Sequence, residues 1–190
     1  MTREEILEAA AQIIRVKGFH ATSMQDIAEA VDLRKASLYH HVNSKQEILV
    51  DLLDQALDNL LGGIEEVMAQ DVPIDEKFRL AMRSYLNHMS ENLDLSSVLL
   101  LEHRSLEEQY QSQHLPKRDR YEALWREIIE EGMREGLFNP YDSKIAVKVA
   151  LGVANWTVMW LNPGGRLSAT EIADLSADIL LNGFYKRENP

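Results

Sequence analysis

The apolar positions of this chain recur at three- and four-residue intervals from end to end, and no stretch alternates strictly as a half-buried strand does. Ile6, Ala9, Ala10, Ile13 and Ile14 make one face of a first helix, which stops at Gly18. Thr22, with Gln25 three residues on, reads as a capping box opening a short helix that buries Met24, Ile27, Ala28 and Val31. Asp32-Leu33 makes a turn, and a second short helix covers Arg34 to His40. Ser44 with Glu47 reads as a second capping box, opening a long helix that carries Leu49, Leu52, Leu53, Leu57, Leu60, Leu61, Ile64 and Met68.

Pro73 closes that helix and Asp75 starts the next, with Phe78, Met82, Tyr85, Leu86 and Met89 on one face. A short apolar segment from Leu95 to Leu101 follows. The polar run Glu107 to His114 reads as a loop, with Pro116 near the start of a helix that ends at Gly136. Asp142 begins a helix reaching Leu161, where Pro163-Gly164-Gly165 breaks it. Ser168 and Glu171 form a third capping box for a last helix running to about Lys186. The pattern predicts an all-α protein of about nine helices, with a head over residues 1–60 and a helical body over 61–190.

Composition narrows the function. The 190 residues include no Cys, so disulfides, thiolate metal sites and a Cys nucleophile are excluded. The first residues are polar and no run is long and apolar enough for a spanning helix, so a cytoplasmic protein is expected. The formal charge of −11 speaks against nucleic acid until its distribution is examined. Residues 1–50 carry six basic and seven acidic side chains, so nearly all of the negative charge belongs to the body.

Two short helices joined by a tight turn and flanked by longer ones make a helix-turn-helix. The second offers Arg34, Lys35, Ser37, Tyr39 and His40, and no acid occurs between Asp32 and Glu47. Cations, hydroxyls and an aromatic on one short helix suit base edges and phosphates. A solvated helix in an all-α bundle is the alternative from spacing alone. Other chemistry has less support. His40 and His41 point about 100° apart and cannot share a metal. His88, His103 and His114 with Glu102 lack paired helical spacing, and no metal or cofactor is expected. Glu65-Glu66 and Glu130-Glu131 read as solvated faces, so an enzyme is not expected.

The runs Thr22-Ser23-Met24-Gln25-Asp26-Ile27-Ala28, Ala36-Ser37-Leu38-Tyr39-His40-His41 and Asn43-Ser44-Lys45-Gln46-Glu47-Ile48-Leu49 closely resemble the DNA-binding domain of the TetR family. That resemblance implies phosphate contacts for Tyr39 and Lys45, base reading by Lys35 and Ser37 with His40 beside them, and helix caps at Thr22 and Ser44. Three positions depart from the family pattern. Asp32 stands at the usual turn glycine, Arg34 at the usual Ser cap, and Val42 at the usual Phe. Arg118 to Glu122, Asn155-Trp156-Thr157 and Pro163 to Ser168 resemble a branch controlling fatty-acid and steroid breakdown, whose members often sense acyl-CoA thioesters.

A ligand-responsive repressor that binds palindromic double-stranded DNA as a homodimer is therefore expected; a DNA-binding or chromosome-organising protein without an effector is the alternative. Pocket walls are expected from Phe78, Met82, Tyr85, Met89, Trp125, Trp156 and Trp160, with His88, His103 or Arg104 meeting an acid group. Methionines among aromatics suit a flexible acyl or ring system. The helix from Asp142 is apolar on two stripes, Ile145, Val149, Trp156 and Trp160 on one and Ala146, Ala150 and Ala154 on the other. The last helix repeats this, with Ile172, Leu175 and Ile179 against Ala173, Ala177, Leu181 and Phe184. A helix apolar all round needs burial all round. These two helices are expected to form a two-fold four-helix interface, the small stripe Ala146, Ala150 and Ala154 with Ile172, Leu175 and Ile179 facing the partner.

Overall fold

The computed structural model describes residues 2–184, which form nine α-helices, two 3-10 turns and no strand. They are α1 (Arg3–Lys17), α2 (Met24–Ala30), α3 (Lys35–Leu38), α4 (Lys45–Met68), α5 (Ile74–Glu91), α6 (Leu93–Glu102), α7 (Glu108–Arg134), α8 (Ser143–Trp156) and α9 (Ala169–Phe184). The side chain of Phe184 and the expected helix end near Lys186 lie outside the described residues.

Contacts divide the chain into two units. The first comprises residues 1–58 and 92–117, the second 59–91 and 118–190. Residues 92–117 therefore belong with the head, not with the body as the sequence suggested. Helix α6 buries Leu95, Val98 and Leu99 and packs against α1, and polar contacts join residues 92–117 to the head: Arg15 meets Asp94 at 2.8 Å, Phe19 N donates to Glu102, and the Gln46 amide bonds both Ser105 O and Glu107 N. These bonds join positions far apart in sequence, which no local pattern reveals.

In the first unit α1 opens on a Thr2–Glu5 capping box and ends at Gly18, whose φ of +80° is open to glycine at little cost. Ile6, Ile14, Ile27, Leu38, Ile48 and Leu49 are buried around one core, so the three head helices and the start of α4 share it. Asp32 takes φ +53°, as expected of an Asp replacing a turn glycine. The α2 cap, however, is Ser23. Its hydroxyl accepts from Asp26 N at 3.1 Å while the Asp26 carboxylate accepts from Ser23 N at 2.8 Å. Thr22 is buried instead, and its hydroxyl donates to Gly18 O.

The expected loop over 107–114 is helix: α7 runs unbroken from Glu108 through Pro116. Its inner stripe here is Tyr110, Gln111 and His114, polar residue types that hide the helical period. His114 is buried and bonds Asp54 through Nδ1 at 3.2 Å, next to a Lys117–Asp58 ion pair at 2.8 Å. The Glu47 amide does find the Ser44 hydroxyl, but the Glu47 carboxylate bonds Asn43 N and Arg3 rather than closing a box on Ser44.

In the second unit α5 packs along α9, tied by Arg79–Asp178 and Arg83–Asp174 ion pairs. Phe78 meets Trp125 edge to face at 5.8 Å. The Ser168–Glu171 box caps α9 as expected. The α8 helix stops at Trp156, and residues 157–159 continue as a 3-10 turn in which Thr157 caps back onto Ala154 O.

Candidate nucleic-acid interface

The segment from Arg34 to His41 has one deep anchor. Leu38 is completely buried, whereas Arg34, Lys35, Ala36, Tyr39 and His40 are exposed and Ser37 is half-buried. A short helix pinned by one leucine and presenting cations, a hydroxyl, an aromatic and an imidazole on its outside is suited to a groove of DNA. Arg34 stands at the helix N-cap without a side-chain cap bond, so its guanidinium is not drawn into capping. The sequence-expected DNA residues divide accordingly. Arg34, Lys35, Tyr39 and His40 are exposed along this segment with the half-buried Ser37 among them, and Ser44 caps α4. Thr22 is interior, and the Lys45 ammonium is turned back onto the carbonyls of Phe19 and Thr22 at 2.7 and 2.6 Å.

The electrostatics around this surface are set by pairing. Lys17 and the Ser23 cap hold the Asp26 carboxyl well below its usual range, and the Arg3 guanidinium lowers that of Glu47. Both acids stay ionised with a cation of the head beside them, Lys17 for Asp26 and Arg3 for Glu47, while Arg34 and Lys35 remain exposed. Ser23, Arg3 and Gln46 are the structural residues that sequence reasoning missed. The Ser23–Asp26 spacing was a usable signal; the Arg3 and Gln46 contacts were not.

The expected pocket residues do not all converge. Phe78, Met82, Tyr85, Met89 and Trp125 form a close-packed cluster in the second unit, each at most 2% exposed. Burial pushes the Tyr85 phenol well above its usual pKa, and its hydroxyl donates to Asn155. The Trp125 indole N–H is buried beside the Tyr121 phenol, whose pKa burial raises and the Trp125 bond partly lowers. Trp156 and Trp160 are not part of it, being 66% and 53% exposed. Trp160 instead borders an open groove of about 430 Å³ with Arg166, Leu175 and Ile179. His88 bonds Ser84 O, and His103, beside the exposed Arg104, bonds Leu100 O in the first unit. No group of three or more metal-binding side chains occurs among the described residues, and no described helix is long and apolar enough to cross a membrane.

The expected partner stripe is also reversed on α8. Ala146, Ala150 and Ala154 face the interior, and Ile172 is buried on α9. The outward face carries Ile145, Val149, Val153 and Trp156, with Leu175 and Ile179 outward on α9. Small side chains sit where α8 approaches its own core, and the large ones remain uncovered.

Residues 6–52 match the family described as bacterial regulatory proteins, tetR family, and residues 71–184 match the tetracyclin repressor-like C-terminal domain. The TetR-family regulator PfmR of Thermus thermophilus is 34% identical over 93% of this chain and 97% of its own, with a TM-score of 0.86. The transcriptional repressor KstR2 of Rhodococcus jostii is 27% identical, the alignment covering 98% of this chain and 93% of the relative. AibR, solved in complex with isovaleryl coenzyme A and operator DNA, is 28% identical over 94% of this chain and 97% of its own, with a TM-score of 0.86. A helix-turn-helix with an outward cationic helix, a helical C-terminal domain and these matches lead to one conclusion: the chain belongs to the TetR family of bacterial regulatory proteins, a family of regulators and not of enzymes.

Proposed function

We propose that this protein is a cytoplasmic transcriptional repressor that binds an inverted-repeat operator as a homodimer and is released by a hydrophobic acid or its coenzyme A thioester. The observation that carries the reading is the Arg34–His40 surface, where Arg34, Lys35, Tyr39 and His40 are exposed around a single buried leucine. Arg34 and Lys35 at the start of α3 supply bidentate or point-charge donors to base edges and phosphates. Ser37 reads a neighbouring edge, and Tyr39 donates to the backbone. Ser44 orders the first turn of α4, whose amides favour an anion.

The effector site is the cluster of Phe78, Met82, Tyr85, Met89 and Trp125. Its methionines adapt to an acyl chain. Two relatives support the reading: KstR2 is a transcriptional repressor, and AibR is held with isovaleryl coenzyme A and operator DNA. Dimerisation uses the uncovered α8–α9 face. An effector must favour the DNA-incompetent state by a few kcal/mol, and operator DNA must weaken effector binding by the same factor. The test is a titration of acyl-coenzyme A thioesters and free acids against the protein–DNA complex, with sugars and cationic drugs as controls. Release by the thioesters or acids supports the reading. Release by cationic drugs alone overturns the acyl assignment, and release by nothing favours a regulator without an effector.

A further inference from the structure

The side chain of Lys45, the first residue of α4, runs back to the turn that joins α1 to α2. Its ammonium donates to Phe19 O at 2.7 Å and Thr22 O at 2.6 Å, lies 3.5 Å from His20 O, and sits 4.4 Å from the centre of the Phe19 ring. A lysine ammonium has three protons and no acceptor; two of them are held on carbonyls at short range and the third faces the more distant His20 O. The cage is built from interior residues, since Phe19 and Thr22 are 3% and 1% exposed. From the other side Glu102 accepts from Phe19 N at 3.2 Å, and Ser105 Oγ lies 3.2 Å from His20 Nε2. The turn is thus gripped by a cation on its carbonyls and a carboxylate on its amide. Ser23, the cap of α2, follows Thr22 directly, so the turn decides where α2 begins and where α3 is presented.

We propose that Lys45 is a positioning residue of the DNA interface and not a phosphate contact. It seats the turn at residues 18–22 and, through it, the recognition segment. This role rests on the DNA-binding reading above but differs from it in what it expects of salt. A lysine that meets a phosphate releases a counterion, contributing about −0.9 to the slope of log affinity against log salt. A lysine whose protons stay on carbonyls contributes nothing comparable.

The experiment measures anisotropy of a labelled 30-bp duplex of mixed sequence between about 50 and 200 mM NaCl, the range over which the salt term is resolved. It compares wild type, Lys45→Met and Lys35→Ala, each well below its melting temperature. Lys45→Met should lose roughly tenfold in affinity at every salt concentration, with a slope parallel to wild type. Lys35→Ala should flatten the slope by about one unit. A purely structural lysine would leave the affinity of the folded variant unchanged, and that result overturns the proposal. So does a Lys45→Met slope flattened as much as that of Lys35→Ala. Acetylation of the wild-type protein, read by mass spectrometry, needs no variant to fold. Lys45 should be equally slow with and without the duplex, while Lys35 becomes protected by it. New protection of Lys45 on adding DNA contradicts the cage. A wild-type protein without salt-dependent affinity for the duplex overturns the DNA-binding reading itself, and this role with it.

Discussion

Lys17 at the end of α1 donates to the Asp26 carboxylate at 2.7 Å, while the same carboxylate closes the Ser23 cap of α2. One acid therefore fastens two head helices together. The pairing holds the Asp26 carboxyl well below the usual carboxylate range, with the Lys17 bond the largest cause and the Ser23 bonds next. A carboxyl with a depressed folded-state pKa contributes stability that is complete above its unfolded pKa and is lost as pH falls through the folded value. Glu47, lowered from 4.5 chiefly by Arg3, acts in the same sense. The melting temperature of the head should hold steady from neutral pH to about 5 and fall below about 4. Asp26→Asn should lower it at neutral pH and leave a shallower fall in acid, as thermal melts across pH would show.

Two glycines within helices should respond oppositely to alanine. A Cβ at Gly62 in α4 meets nothing within 4 Å, so Gly62→Ala should stabilise by up to about 1 kcal/mol. A Cβ at Gly132 in α7 would lie 2.3 Å from the Phe138 ring, which is folded back because Phe138 N donates to Gly132 O at 2.9 Å. That ring is 2% exposed and has nowhere to go. Gly132→Ala should cost about 1–3 kcal/mol in denaturant unfolding.

Pro116 interrupts the hydrogen-bond ladder of α7 on an exposed turn. Restoring the amide with Pro116→Ala should raise stability, by at most about 3 kcal/mol, in the same unfolding assay.

The helical character of the chain was legible because its long helices carry apolar stripes at the right period, and the recognition surface because acids are absent from Leu33 to Gln46. What was hidden has physical causes. The start of α7 packs through Tyr110, Gln111 and His114, so hydropathy does not mark its buried side. The α2 cap slipped by one residue because Thr22 and Ser23 both fit a capping pattern, and only burial of Thr22 decides between them. For α8 the two stripes were visible, yet which one faces inward depends on how closely α8 packs in the folded chain, and that favours the alanines. The Lys45 cage joins residues 26 apart through backbone oxygens, which carry no sequence signal.

The uncovered face of α8 and α9 sets the expectation for assembly. Val149 is 48% exposed, Leu175 50% and Ile179 73%. Full burial of such a side chain from full exposure contributes about 1.5–3 kcal/mol, and covering these partly exposed ones gains a share of that, which favours a second copy on this face. Wild type should sediment as a dimer at micromolar concentration. Ile179→Glu or Val149→Arg should give folded monomers, whereas Ala150→Arg, at a site with no exposure, should unfold the protomer.

Selection of bound sites from a random duplex library tests the central claim most directly, because it asks whether the Arg34–His40 surface reads sequence. Wild type should enrich an inverted repeat with half-sites about 10 bp apart, or a multiple of that spacing. Lys35→Ala and Ser37→Ala should each shift the preference at one or two bases within the half-site. Enrichment of no sequence by wild type, or of the same sequence by all three proteins with a uniform loss of affinity, would contradict the account.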